Sequence, residues 1–266
     1  LITDTCPLIV HAPGKLKHDE YCRQNPLWQP GPDDWSVLWE PLHSSLFSSR
    51  FKECSLPTEL AIATWNNKPT SPCELSLERL GLKVEVLGRG IKHWKNTMKM
   101  ELAAEYLSSV EEPYTLLLDS SDVLVLRCLN ELVDHFLNFK CDALFNAEKT
   151  FWPDEVEGII KKWKHSQGHG HVYNYLNAGV VIGKTQFLAD YYKSVNTLDV
   201  KKLISQKQLI PTCELTEQSI IESEQIRHHW GYYKFKDQIK LDHQAKVFQS
   251  IVFHSPLEIV WGSRFL

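Results

Sequence analysis

The chain has 266 residues, 43% of them hydrophobic and 23% charged, with a formal net charge of −4. That supplies enough apolar material for a sizeable core, and it excludes both a disordered chain and the basic surface that nucleic acid binding requires. A single α/β domain suits this length, and no apolar run approaches the roughly 20 residues of a membrane span.

Residues 1–50 are rich in Pro, Trp, His and Ser and show no regular period, with one exception. Pro7 to Lys15 reads as a short buried strand ending in His11, then a compact turn with Pro13 and Gly14, then Lys15. From Leu60 onward, apolar runs alternate with helical patterns. A strand is predicted over Leu60 to Thr64, a helix over Ser71 to Leu80 stopped by Gly81, and a strand over Lys83 to Leu87 that empties into Gly88-Arg89-Gly90. The next helix spans Thr97 to Val110 with Met98, Leu102, Tyr106 and Leu107 on one side, and the strand Thr115 to Leu118 follows. Leu129, Leu132, Val133, Phe136 and Leu137 form one continuous helical stripe. Strands at Ala143 to Asn146 and Tyr175 to Ile182 precede helices at Gln186 to Val195 and Glu217 to Gln225. Such alternation predicts a mainly parallel sheet covered on both faces.

The seven cysteines, Cys6, Cys22, Cys54, Cys73, Cys128, Cys141 and Cys213, are scattered and never form a Cys-x-x-Cys pair. They read mostly as core or surface thiols, and the chain has no Asn-x-Ser/Thr sequon. Both features favour the cytoplasm over the lumen of the endoplasmic reticulum or Golgi.

Chemistry gathers where strands end. The run Thr115 to Leu118 delivers Asp119 and Asp122 to the carboxyl end of a strand, where open α/β sheets bind their ligands. Two carboxylates suit Mg²⁺ or Mn²⁺, leaving the other positions to water and substrate phosphates, although Asp and Ser are also ordinary turn residues. His11 and Lys15 offer an imidazole to a metal and an ammonium to a phosphate, or are a satisfied His beside a solvated Lys. Asn146 to Pro153 ends a strand in polar residues and an aromatic loop, in which Trp152 either lines a sugar site or simply packs. Small residues in Leu176 to Gly183 allow close backbone approach beside Asn177. Thr216-Glu217-Gln218 sets a carboxylate and an amide at a helix start, facing a sugar or serving only the helix. His165, His169 and His171 form a further cluster that reads more simply as a solvated loop than as a metal site.

Together these segments resemble the glycosyltransferase domain of the procollagen lysyl hydroxylase/glucosyltransferase family. Lys83 to Gly90 is similar to that family's Val-x-Val-Leu-Gly-x-Gly strand and turn, and Asp119-Ser120-Ser121-Asp122-Val123 to its Asp-Ser-Tyr-Asp-Val motif. Ala147-Glu148 with Trp152-Pro153 is similar to Ser-Ala-Glu and Trp-Pro, and Leu176 to Gly183 to Leu-Asn-Ser-Gly-Gly-Phe-Ile-Gly. The most specific likeness is Leu241 to Gln249, similar to Leu-Asp-His-x-x-x-Ile-Phe-Gln. The resemblance runs from about Leu60 to Gln249, with one departure: an acidic stretch ending Asp-Gln is here Glu217-Gln218.

The resemblance implies a GT-A-type, Rossmann-like α/β sandwich with a mostly parallel central sheet, one domain over residues 1–266 whose core is 51–266. It implies metal-dependent transfer of a hexose from UDP-glucose or UDP-galactose to an acceptor hydroxyl, on hydroxylysine, a collagen-like protein or a glycan. Asp119, Asp122 and His11 would hold Mn²⁺, while Ala63, Thr64, Ser121, Gly14 and Lys15 would contact the donor. Glu217, Asn177, Gln218 and Trp152 would face the transferred sugar and the acceptor. A UDP-sugar hydrolase and an idle nucleotide-sugar-binding or scaffold domain are the rival readings.

In that family the Phe-Gln segment is followed by one more strand region and then a His-Gly-Asn-Gly-Pro-Thr-Lys segment that completes the metal site. Here residues 250–266 follow Gln249, while His11-Ala12-Pro13-Gly14-Lys15 stands at the opposite end. Joining Leu266 to Leu1 restores the family order, so the chain is expected to be circularly permuted with adjacent ends. His254 is the competing ligand without permutation, and a preceding tandem copy is the competing origin for residues 1–50.

Overall fold

Leu116, Leu117 and Leu118 are buried in succession, which requires a strand covered on both faces. In the computed structural model, which describes residues 9–11, 54, 56–149, 171–209, 211–229, 235 and 238–250, that strand is central. In chain order the elements are β1 (Ile9–His11), β2 (Leu60–Trp65), α1 (Pro72–Arg79), β3 (Glu85–Leu87), α2 (Met98–Leu107) and β4 (Tyr114–Asp119). There follow β5 (Val123–Val125), α3 (Leu132–Leu137), β6 (Ala143–Glu148), β7 (Tyr175–Lys184), α4 (Thr185–Asn196) and α5 (Val200–Ser205). A 3₁₀ turn (Pro211–Glu214), α6 (Glu217–His229), β8 (Ile239–Leu241) and β9 (Phe248–Ser250) complete the described chain.

The main sheet has the order β3-β2-β4-β7-β6-β8. Strands β2, β3 and β4 are mutually parallel, as are β6 and β8, and β7 runs antiparallel to both β4 and β6. Five strands therefore share one direction and β7 opposes them, so the fold is an α/β sandwich around a mostly parallel sheet. Leu116 and Leu118 pack on one face with Leu77 of α1 and Val133 and Phe136 of α3. Leu117 points to the other, among Met100 and Ala103 of α2, Tyr191 of α4 and Ile221 of α6. No helix of the described residues is long and apolar enough to cross a membrane.

Local chemistry sets the helix ends. At α1 the Ser71 hydroxyl accepts from the Glu74 amide while the Glu74 carboxylate accepts from the Ser71 amide, with Pro72 in the first turn. Gly81, at φ 71°, closes that helix by donating to the Glu78 carbonyl. Two helices differ from expectation. α3 begins only at Leu132, because Leu129 joins the buried stripe through a turn in which the Leu132 amide donates to its carbonyl. The buried residues of α2 are Lys99, Met100, Ala103 and Leu107, so the inward face is rotated from Met98, Leu102 and Tyr106.

A second, three-stranded sheet carries β1 in its centre, antiparallel to β5 and parallel to β9. Cys54 and Cys128, 74 residues apart, are joined in a disulfide close after β5. This pair is the exception, among the described residues, to the reading of most cysteines as thiols. Linear spacing carries no sign of a pair that only the fold brings together; Cys73, Cys141 and Cys213 are free.

Asp242 holds the small sheet's third strand in place. Its carboxylate accepts from the Lys246, Val247 and Phe248 amides at 3.0, 2.7 and 2.9 Å, fixing the turn that leads into β9, and Asp242 is fully buried. Asp242→Ala should cost roughly 3 kcal/mol by stranding those donors. Urea denaturation measures it; a loss under about 1 kcal/mol would show that the turn forms without the carboxylate.

Candidate active site

Strands β4 and β1 both end at one point. Asp119 closes β4, Asp122 precedes β5, and His11 closes β1 in register with Val123. One ligand atom from each of His11, Asp119 and Asp122 lies within 4.8 Å of the others, so the three can hold a metal ion. His11 is 2% exposed, with Nε2 3.6 Å from Asp122 Oδ2. Burial works against a charged His11, but Asp122, helped by Asp119 and Glu148, outweighs it and raises the imidazole above its ordinary value. Burial likewise opposes ionisation of Asp122, and His11 overrides it, holding that carboxyl low.

Backbone space makes the approach possible. A Cβ on Gly179 of β7 would lie 2.5 Å from His11 Nε2 and 3.0 Å from Asp119 Oδ2, closer than a side chain tolerates. β7 reaches this position through an irregularity: Phe145 pairs with Val181 while Asn146 pairs with Asn177, leaving residues 178–180 without partners on β6. Side chains take up the freed amides. Ala178 donates to Gln218 Oε1 at 3.2 Å, and Gly179 to Asn177 Oδ1 at 2.9 Å.

Beside the triad lies a chain of charges. Lys99 Nζ donates to Asp119 Oδ1 at 2.6 Å and to Glu217 Oε1 at 2.7 Å, and sits 5.5 Å from the centroid of the Trp65 ring. Burial opposes the Lys99 charge, but Asp119 and then Glu217 raise its pKa well above the ordinary value. Burial raises the Glu217 carboxyl, with Lys99 opposing. Glu217 Oε2 is buried and has no hydrogen-bond partner.

Glu148, the last residue of β6, gathers the amides. It accepts from Gln218 Nε2 at 3.1 Å and, more loosely, from Asn177 Nδ2 at 3.4 Å. The sequence-predicted residues thus divide into groups. His11, Asp119 and Asp122 meet directly, Glu217 joins them through Lys99, and Asn177 and Gln218 converge on Glu148 next to them. Ser121 is exposed in the loop between the two aspartates. Ala63 and Thr64 are fully buried, and the Thr64 hydroxyl donates to the Leu118 carbonyl at 2.9 Å. Gly14, Lys15, Trp152, His165, His169 and His254 lie outside the described residues, as do both chain ends. Sequence reasoning missed Lys99, Trp65 and the role of Glu148. A lysine four residues before Ala103 and eight before Leu107, in phase with a buried helix face, was the available signal for the first.

The family model described as "PLOD GT domain" matches residues 56–256. The procollagen-lysine,2-oxoglutarate 5-dioxygenase of Drosophila melanogaster is 29% identical over 113 residues, covering 41% of this chain and 15% of that protein. The chain therefore spans a small part of that relative's length. Among solved structures, a glycosyltransferase involved in the glycosylation of the major capsid of PBCV-1 is similar with a TM-score of 0.39 and 11% identity, covering 78% of this chain and 99% of that one.

Because Gly179 leaves no room for a methyl group, Gly179→Ala should push the His11 ring off the aspartates. Mn²⁺ affinity measured by calorimetry is expected to fall about 10- to 100-fold, the range for disturbing what orients a ligand. An unaltered affinity would show that the imidazole is not needed for cation binding.

Proposed function

The chain belongs to the PLOD GT domain family and is a glycosyltransferase domain, and from that premise we propose that it transfers a hexose from a UDP-sugar to an acceptor hydroxyl with a divalent cation on His11, Asp119 and Asp122. The observation that carries this reading is the triad itself. Both ring nitrogens of His11 and Asp122 Oδ1 are buried without hydrogen-bond partners, an arrangement that a cation would satisfy. Mixed imidazole and carboxylate donors suit Mn²⁺, with positions left for phosphate oxygens. When bound, such a cation neutralises charge on the diphosphate of the departing UDP.

The chain's own residues do the rest. Transfer forms a bond from the acceptor oxygen to the anomeric carbon, breaks the bond from that carbon to the diphosphate oxygen, which keeps the electron pair, and passes the acceptor proton to that departing oxygen. Glu217 Oε2 accepts a hydrogen bond from a hydroxyl of the transferred sugar or of the acceptor, since it is the free oxygen of a carboxylate whose other oxygen Lys99 holds. Asn177 and Gln218 act indirectly, keeping β7 and Glu148 in place. With their side chains buried, Ala63 and Thr64 would meet a donor through the strand-end backbone. Ser121, Gly14 and Lys15 would contact the phosphates, and Trp152 would flank the sugar. Circular permutation belongs to the same reading. It is supported by β1, first in the chain, lying parallel to β9 near the end of the described residues. UDP-glucose and UDP-galactose are the proposed donors, and hydroxylysine in a collagen-like protein or a glycan the proposed acceptor.

Two measurements test this. UDP release is followed from a panel of UDP-sugars with Mn²⁺, with and without hydroxylysine-type and simple sugar acceptors. Release that requires acceptor is expected; release without it would make the protein a hydrolase, and none at all a binding or scaffold domain. In parallel, Asp122→Ala should weaken Mn²⁺-dependent UDP binding at least about 100-fold, or roughly 3 kcal/mol. Glu217→Gln should lower turnover by about 100-fold while UDP affinity changes less than about twofold. Near-normal turnover in that variant would return Glu217 to a helix-start role.

A further inference from the structure

Lys99 stands outside every motif, yet among the described residues it touches both halves of the site. Its ammonium is enclosed between Asp119 on β4 and Glu217 at the start of α6, and its own carbonyl accepts from Trp65 Nε1 at 3.1 Å. Lys99 is only 8% exposed. Burying an ammonium costs several kcal/mol unless its partners are well placed, and breaking such a cluster leaves a carboxylate uncompensated. The geometry goes further than charge balance. Oδ1 of Asp119 already accepts from Lys99, so Oδ2 is the oxygen free of that contact for the triad, and it is the one 3.0 Å from where a Cβ on Gly179 would stand. With Oε1 of Glu217 committed as well, Oε2 alone is left open, and its buried position calls for a donor hydroxyl.

We infer that Lys99 is a positioning residue that ties the cation half of the site to the sugar half, restricting Asp119 to one-oxygen ligation and aiming the second oxygen of Glu217 at a hydroxyl of the donor sugar. This rests on the transferase reading above and adds to it a residue and a division of labour. Lys99 touches neither cation nor sugar in this scheme. It acts through the two carboxylates, so its effect should fall on discrimination between UDP-sugar and UDP rather than on UDP itself.

The test compares equilibrium affinities for Mn²⁺ alone, for UDP with Mn²⁺, and for UDP-glucose and UDP-galactose with Mn²⁺. It uses the whole chain unmodified, Lys99→Met, Glu217→Gln and the double variant. Lys99→Met is expected to reduce the preference for UDP-sugar over UDP about tenfold, equivalent to roughly 1.4 kcal/mol. Mn²⁺ affinity should stay within about twofold or rise, because the triad gains negative charge and Asp119 regains an oxygen. In the Glu217→Gln background the same substitution should change the preference by less than about twofold, since residues acting through one another are not additive. Additive effects, or equal losses for UDP and UDP-sugar, would overturn the inference by reducing Lys99 to a structural ion pair. If Lys99→Met does not fold, Lys99→Arg decides. A planar guanidinium does not reproduce two contacts made by a point-like ammonium, so part of the preference should be lost, and an unchanged preference would overturn the proposal. An unmodified protein that fails to bind UDP with Mn²⁺ would instead overturn the transferase reading itself, and that arm is read without any Lys99 variant.

Discussion

The close passage of β7 behind His11 and Asp119 is the constraint on which the site depends. A backbone with no side chain at Gly179 lets the main sheet meet the small sheet at their ends, and only there can an imidazole from β1 reach carboxylates around β4. The approach disturbs the ladder. β7 is the sole antiparallel member of the described main sheet, and its register against β6 breaks between Phe145 and Asn146. Bulges commonly re-aim chain next to functional sites. Here the freed Ala178 and Gly179 amides recruit Gln218 and Asn177, which carry the network on to Glu148. A register break in one strand thereby fixes residues from β6, β7 and α6 about a common point.

Much of this was legible in the chain because the central strands are buried on both faces. Continuous apolar runs such as Leu116 to Leu118 admit few other readings, and α1 announces both ends through Ser71, Pro72, Glu74 and Gly81. The triad was legible for a different reason. Asp119 and Asp122 stand at a strand end, whereas His11, more than a hundred residues away in sequence, was singled out by the motif order of the family the chain resembles. What was hidden depended on tertiary placement. Met98, Leu102 and Tyr106 are partly buried, and the last two pack against the second core layer, so periodicity found an apolar side of α2 but not its deepest face, which includes Lys99. Cys54 and Cys128 carry no mutual signal at their separation. Strand β6 extends past Asn146 to Glu148 because its end is held by pairing with Leu176 and Tyr175, which local propensity does not register.

The charges of the site form a balanced set that is poor as a source of stability. Four carboxylates, Asp119, Asp122, Glu148 and Glu217, surround one ammonium and one imidazole. Replacing buried ion pairs with apolar groups of similar volume is often neutral or stabilising, so their presence calls for another explanation. An excess of negative charge over positive at partly buried positions creates a potential that favours a cation. Lys99 limits that excess by pairing directly with Asp119 and Glu217, and His11 is the larger opposing influence at Asp122.

This distribution also bears on Glu217, which stands where the acidic stretch of the family it resembles in sequence ends in Asp-Gln. A longer side chain at the first residue of α6 places the carboxylate one methylene farther from its helix. That extra reach suits a carboxylate that must meet Lys99 with one oxygen and keep the other open. An aspartate at the same backbone position would have to draw α6 inward to make the same contact, and Ile220 and Ile221 already pack that helix against the second core layer. The glutamate is thus consistent with a helix whose distance from β4 is set by packing, with side-chain length making up the remainder.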